Sequence, residues 1–332
     1  MNVSDIAKLA GVSNSAVSRY FNHGYISQEK REAIRKVVEE TGYRPSVQAQ
    51  TLRTKKTNMI GVIVPKIASA SIGKIVEGIL SVLNKSNYQM LLAVTENDPK
   101  KELEYLLSFN RKQVDGLILA ATVFSEEHKR LLKHLTVPAV ITGQKLHGQF
   151  CVYHDDYHAA YDITEYVLEK GKRNLAYMNA ILSDEAAGAK RYRGYCDAVR
   201  DRGFEALAGQ HITADFTVIS GYEKTRELLS QYPGLDAILC ATDSMAAGAM
   251  QFLAEHGITV PDQILVTGQD DSDIARVTSP PIITVHYSFE TCGETAVRML
   301  LEQINQKDAA PKEVKLGYSI TDYQTKENPY DK

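Results

Sequence analysis

Three polar pairs follow apolar runs in this chain: Asp155-Asp156 after Val152-Tyr153, Thr242-Asp243 after Cys240-Ala241, and Asp270-Asp271 after Ile264–Thr267. Two arginines, Arg191 and Arg193, open a helical pattern. Carboxylates beside an arginine allow two chemistries. They can act as general acid and base, or they can grip sugar hydroxyls through charge-assisted hydrogen bonds. Asp156 and Asp243 have a blander use as helix caps. A second set lies near the N-terminus. Asn14, Ser15, Ser18 and Arg19 are small polar groups and one arginine on a short stretch. On one helix face they suit hydrogen bonding to base edges in a DNA major groove.

No glycine-rich phosphate loop, nucleophile elbow or metal-spaced histidine set accompanies these residues, so no enzyme activity and no cofactor are expected. His154 and His158 are four apart without a further ligand pattern and read as surface residues.

The N-terminal set needs a helix to carry it. Ile6, Leu9 and Ala10 recur at helical spacing and give a first helix an apolar stripe. Gly11 suits a C-terminal cap and Ser13 an N-cap for the next helix. Ala16 and Val17 then face inward, leaving Asn14, Ser15, Ser18 and Arg19 outward. A third helix starts at Ser27, carries Ala33, Ile34, Val37 and Val38 on its apolar face, and stops at Gly42 before Pro45. Helical hairpins that bind nothing share such a turn, so spacing alone leaves that reading open. Ser46–Thr57 has helix formers, few core residues and several cations. It is either a marginal helix that orders on a partner or a flexible basic tether.

Charge distribution separates the head from the rest. Residues 1–57 hold ten Lys/Arg against five Asp/Glu, and the remainder is net −8 within a whole-chain charge of −3. A basic head on an acidic body is a footprint for a polyanion at one end. The four cysteines are far apart, which favours buried reduced thiols over a disulfide or metal framework. The N-terminus lacks the apolar stretch of a secretory signal, and no run is long enough to span a membrane. A soluble, cytoplasmic protein without membrane partners is expected.

The cleft set needs a sheet. Met59–Val64, Gln89–Val94, Gly116–Ala120, Ala139–Ile141, Asn174–Met178, Ala237–Cys240 and Ile264–Val266 read as buried strands, with helical patterns between most of them. Repeated strand–helix units predict parallel sheets covered by helices. They are too many for one ordinary sheet, so two lobes are expected. A ligand then sits beyond the strand ends, in the cleft between the lobes.

The head, with Val3–Ser13, Ala16-Val17-Ser18-Arg19, Asn22 and Gly42-Tyr43-Arg44-Pro45, resembles the lactose/galactose repressor family. Thr57–Pro65, Val114–Ile118 and Asp243–Gly248 are similar to runs of the same family, so the resemblance covers nearly the whole chain. Within the family it is most similar to sucrose-operon-type repressors, through Pro65–Ile72 and Lys315–Tyr318. The resemblance implies an all-α helix-turn-helix DNA-binding head at 1–45, a hinge helix at 46–57 and a two-lobed periplasmic-binding-protein-like α/β core with parallel sheets at 58–332. It places the N-lobe at about 58–154 and 288–314 and the C-lobe at about 155–285 and 315–325. It implies a homodimer on a palindromic operator.

By the same resemblance, Asn14, Ser15 and Arg19 read bases, with Ser18 on the same face, and Asn2, Ser13 and Asn22 contact phosphates. Leu52 wedges into the minor groove at the operator centre. Arg191, Thr242 and Asp270 contact the effector, a small sugar or sugar phosphate such as sucrose or fructose, with Ser69 and Ser71 at the cleft mouth. Thr242 departs from the frequent Asn, and Gly143 falls where some members have Asp, which leaves the sugar's identity open. No leucine heptad follows residue 320, so a coiled-coil tetramer is not expected. The implied function is a repressor of a carbohydrate-utilisation operon released by its sugar. The alternative is a catabolite-control-type regulator that binds DNA better with a phosphorylated carrier protein as corepressor.

Overall fold

The computed structural model describes residues 1–22, 24–44, 56–111, 113–120, 122–306 and 309–323. The chain divides into two units, Met1–Thr57 and Asn58–Lys332. The first holds α1 (Val3–Leu9), α2 (Asn14–Phe21) and α3 (Gln28–Thr41). Each helix begins where its sequence offers a cap. Asn2 accepts from the Ser4 and Asp5 amides while Asp5 accepts from the Asn2 amide, a reciprocal capping box. The Ser13 hydroxyl accepts from the Ala16 amide. Gly42 ends α3 in the left-handed conformation, at φ +61°. Ile6, Ala7, Ala16, Val17, Ile34 and Val37 close a small core. Leu9 is not part of it. It is 61% exposed, because α1 ends there and the buried stripe is Ile6-Ala7. Residues 46–55 of the expected hinge, Leu52 among them, lie outside the described residues.

The second unit is built on two parallel sheets. In the first, β1 (Met59–Val64), β2 (Gln89–Val94), β3 (Gly116–Ala120), β4 (Ala139–Thr142), β5 (Phe150–His154) and β11 (Glu313–Leu316) run in the order β11-β5-β4-β3-β1-β2. In the second, β6 (Leu175–Asn179), β7 (His211–Thr213), β8 (Ala237–Cys240) and β9 (Leu265–Thr267) run in the order β7-β6-β8-β9. The continuous apolar runs are strands covered on both faces. In β1, Ile60, Val62 and Ile63 have no exposure at all. Each such side chain contributes roughly 1.5–3 kcal/mol of burial.

Three segments cross between the lobes. The first follows β5 into α7 (Asp156–Glu169). The second joins β10 (Thr284–Tyr287) to α12 (Phe289–Asn305). The third joins β11 to β12 (Tyr318–Thr321), which pairs antiparallel with β10. The resemblance places the third crossover near 314–318. Lys315 and Leu316 still pair with Tyr153 and His154 in the first sheet, so the chain changes lobe at Gly317. Helix α12 returns to the first lobe and lies against α4 (Ala70–Leu83). One apolar cluster is continuous from β1 and α4 through the crossovers to β6, β8 and α10 (Asp243–Glu255).

Candidate functional site

The cleft forms where strand ends of both sheets meet. β6 is followed by a π-helical turn, Glu185–Lys190, that runs directly into α8 (Arg191–Asp201). This delivers Arg191, 5% exposed, to the cleft floor. Its Nε donates to Asp156 Oδ1 at 2.8 Å, and its Nη1 donates to the Ala241 carbonyl at 2.6 Å and toward Asp270 Oδ1 at 3.5 Å. The guanidinium also lies 4.7 Å from the centre of the Tyr287 ring. A buried cation needs matched partners, and here two carboxylates, a carbonyl and a ring face supply them.

Asp270 sits on a loop held at φ +123°, a conformation L-residues rarely adopt. Loss of solvent pushes its carboxyl up to about 7, against the pull of Arg191. The next residue faces elsewhere. Asp271 holds His286 at 2.8 Å, Arg276 at 3.4 Å and the Tyr323 hydroxyl. The pair therefore divides, with Asp270 on the cleft and Asp271 on the crossover strands. Thr242-Asp243 divides too. Thr242 lines the cleft while its hydroxyl caps α10 through the Met245 amide at 3.4 Å. Asp243 is buried and binds the Ser272 amide and hydroxyl at 2.7 and 2.8 Å and the Thr284 hydroxyl at 2.5 Å, so it braces the Asp270 loop from behind. Asp156 makes no helix cap and is a cleft residue bound to Arg191. Asp155 pairs outward with His158 and Lys315, and Arg193 is exposed over the Tyr157 ring.

From the first lobe, Ser69 and Ser71 reach the same cleft with their hydroxyls 2.9 Å apart, and Gly143 lines it as well. Ile67, Ile72, Phe216, Ile274 and Phe289 supply apolar wall, and the space enclosed is about 860 Å3. That is ample for a disaccharide-sized ligand among the usual 300–1,000 Å3 pockets.

Three cleft residues escape the sequence reading. His154 is not a surface residue. It is 5% exposed, pairs in register with Leu316 and packs its ring on Tyr287 and Phe289, 5.2 and 5.1 Å away. Asp184 caps the π-helical turn through the Ala186 and Ala187 amides, both at 3.0 Å, and burial pushes its carboxyl up to about 6. Gln144 of the first lobe donates to Asp184 of the second at 3.3 Å. A polar residue directly after an apolar run is the only local signal for His154, and none marks the other two.

In the head, Asn14, Ser15 and Arg19 are exposed along α2. Ser13 and Ser15 share a hydroxyl hydrogen bond at 2.9 Å, and the Asn14 amide donates to Ser4 at 3.1 Å. The Asn22 amide donates to the Ser18 carbonyl, and Asn2 is engaged in its cap. These bonds hold Asn2, Ser13, Asn14 and Ser15 at the starts of α1 and α2 and Asn22 at the C-terminal end of α2.

Comparison with known proteins adds the following. Residues 2–46 match the model of bacterial regulatory proteins of the lacI family, and residues 164–325 match a periplasmic binding protein-like domain. The sucrose operon repressor of Staphylococcus xylosus is 32% identical over 311 residues, covering 92% of this chain and 94% of that one. Catabolite control protein A of Priestia megaterium is 29% identical, covering 96% of this chain and 98% of that one. Among solved structures, a complex of the transcriptional regulator CelR with cellobiose matches at 27% identity and a TM-score of 0.74, over 97% of this chain and 98% of that one. The lac repressor dimer bound to operator and an anti-inducer matches over the same shares at 24% identity and a TM-score of 0.88, a likeness of fold.

Proposed function

The chain belongs to the lacI family of bacterial regulatory proteins, and on that premise we propose that it is a cytoplasmic transcriptional repressor of a carbohydrate-utilisation operon. Two copies bind a palindromic operator, and a small sugar held between the core lobes releases it. The observation that carries this reading is the matched buried arginine on the cleft floor. Arg191 between Asp156 and Asp270 is an arrangement of buried donors and acceptors beside an open cleft. It suits the recognition of hydroxyls through charge-assisted hydrogen bonds.

In this reading Arg191, Thr242, Asp270, Ser69 and Ser71 hold the sugar, and Asp156 joins them. Asn14, Ser15 and Arg19 read the operator, with Ser18 on the same face and Asn2, Ser13 and Asn22 on its phosphates. Leu52 wedges the minor groove at the operator centre. Replacing Arg19 by Ala costs about 1–3 kcal/mol of discrimination between operator and unrelated DNA. Leu52→Ala weakens specific binding and reduces the bend while leaving sugar affinity intact. Fluorescence anisotropy on operator and scrambled duplexes at fixed salt checks both; unchanged discrimination in Arg19→Ala removes its assigned role. A phosphorylated carrier protein as corepressor is the competing outcome, read in the same assay as tighter rather than weaker operator binding.

A further inference from the structure

We infer that the cleft selects an uncharged, hydroxyl-rich ligand and rejects its phosphate ester, and that His154 is a specificity-determining contact which accepts a hydrogen bond from a ligand hydroxyl. This rests on the effector reading of the cleft and names the class of effector it takes.

The first observation is the unmatched ring nitrogen of His154. The ring donates to the backbone of Ser288, while its Nε2 is buried without a hydrogen-bond partner among the described residues. The donor is therefore Nδ1, which fixes the neutral tautomer and leaves Nε2 as a lone-pair acceptor. Burial pushes the ring's pKa down, so it stays neutral and cannot offer a second N–H. An acceptor of this kind is completed by an O–H and gains nothing from a phosphate dianion, which carries only acceptors.

The second observation is the sign of the floor around it. Asp156, Asp184 and Asp270 present three carboxyl groups, and Arg191 is the buried cation among them. Arg191 is already held by Asp156, Asp270 and the Ala241 carbonyl. A phosphate entering here meets three carboxyl groups around a guanidinium whose Nε and Nη1 are already engaged. Lys74, also at the cleft, gives its Nζ to the Asp271 carbonyl at 3.0 Å. Lys66 also lines the cleft and is only partly buried. Hydroxyl donors, by contrast, fit a floor rich in acceptors, and the Phe289 and Phe216 faces suit the apolar side of a sugar ring.

The test is isothermal titration calorimetry of the full-length protein with matched pairs: fructose and fructose 6-phosphate, glucose and glucose 6-phosphate, sucrose and sucrose 6-phosphate. The expected result is that at least one neutral sugar binds, at least tenfold tighter than its own phosphate. A phosphate that binds as tightly as its parent, or tighter, overturns the selectivity while leaving the cleft a sugar site. Binding of neither member of any pair overturns the effector reading itself, and this inference with it. His154→Phe and His154→Asn separate contact from packing, with thermal denaturation confirming that both fold. Phe, which keeps the bulk and removes the acceptor, weakens the neutral sugar at least tenfold. Asn, which restores an acceptor, recovers part of that loss. Wild-type affinity in both variants, or equal loss in both, overturns the role of His154.

Discussion

Arg191 is tolerable in the protein interior because Asp156, the Ala241 carbonyl, Asp270 and the Tyr287 ring surround its guanidinium. Replacing Asp270 with Ala removes one acceptor and frees part of that cation. The expected outcome is loss of the sugar response with operator affinity in the absence of sugar unchanged, measured by anisotropy; a normal response in Asp270→Ala contradicts the assignment. Asp184 gives a prediction in pH. Burial raises its carboxyl to about 6 from an ordinary 3.8. Between those values the folded protein holds a proton that the unfolded chain has released, so folding takes up a proton. Its contribution to stability is present below about pH 4 and is lost as pH rises through about 6. The ceiling is about 3 kcal/mol, since one unit is worth 1.36 kcal/mol. Asp184→Asn keeps an acceptor for the Ala186 and Ala187 amides but does not ionise. Its melting temperature therefore gains on that of the wild type between pH 4 and 7, and parallel curves contradict the account. Asp270 and Arg191 are legible in the sequence because each follows a strand or opens a helix. His154 and Asp184 are not, since the ring of His154 is covered by Tyr287 and Phe289 from a distant crossover and Asp184 meets Gln144 of the other lobe.

At the scale of elements, the two lobes depend on helices in backbone contact. A Cβ on Gly78 of α4 would lie 2.0 Å from the Glu290 carbonyl oxygen of α12, and one on Gly293 would lie 2.1 Å from the Ile75 carbonyl oxygen. The reciprocal glycines let the helix that follows the second crossover seat itself directly on the first lobe. Alanine at Gly78 forces them apart. The expected loss is at least about 1–3 kcal/mol in urea denaturation, and an unshifted midpoint contradicts the close approach. Most strands announce themselves as continuous apolar runs, so the centres of both sheets are readable from sequence, while the short edge strand β7 is not. Helix α12 and strands β5 and β11 are weaker signals, because β11 alternates exposed and half-buried residues at the sheet edge. Its pairing with β5 runs to Leu316, so the chain crosses at Gly317. Leu9 misleads for a related reason, since periodicity marks a face but not where the covering elements end.

The whole core is two lobes on three crossovers, and polar ties span the cleft. Lys74 Nζ reaches the Asp271 carbonyl at 3.0 Å and Gln144 reaches Asp184 at 3.3 Å. A ligand shifts such a molecule only by binding one arrangement of the lobes better than another. Removing the first tie with Lys74→Met raises the sugar dissociation constant severalfold and leaves operator binding without sugar intact, both readable by calorimetry and anisotropy. Equal sugar affinity in the variant contradicts a role for that tie in closure. The central claim is that one molecule couples a sugar cleft to operator binding, and a tenfold change in operator affinity needs only 1.4 kcal/mol of coupling. The most direct measurement is an anisotropy titration of the full-length protein on a palindromic family-type operator, at fixed salt, with and without neutral sugars. The account predicts that at least one sugar weakens operator binding tenfold or more and that Asp270→Ala abolishes the effect. Operator affinity that no sugar alters, or that only a phosphorylated carrier protein raises, contradicts it.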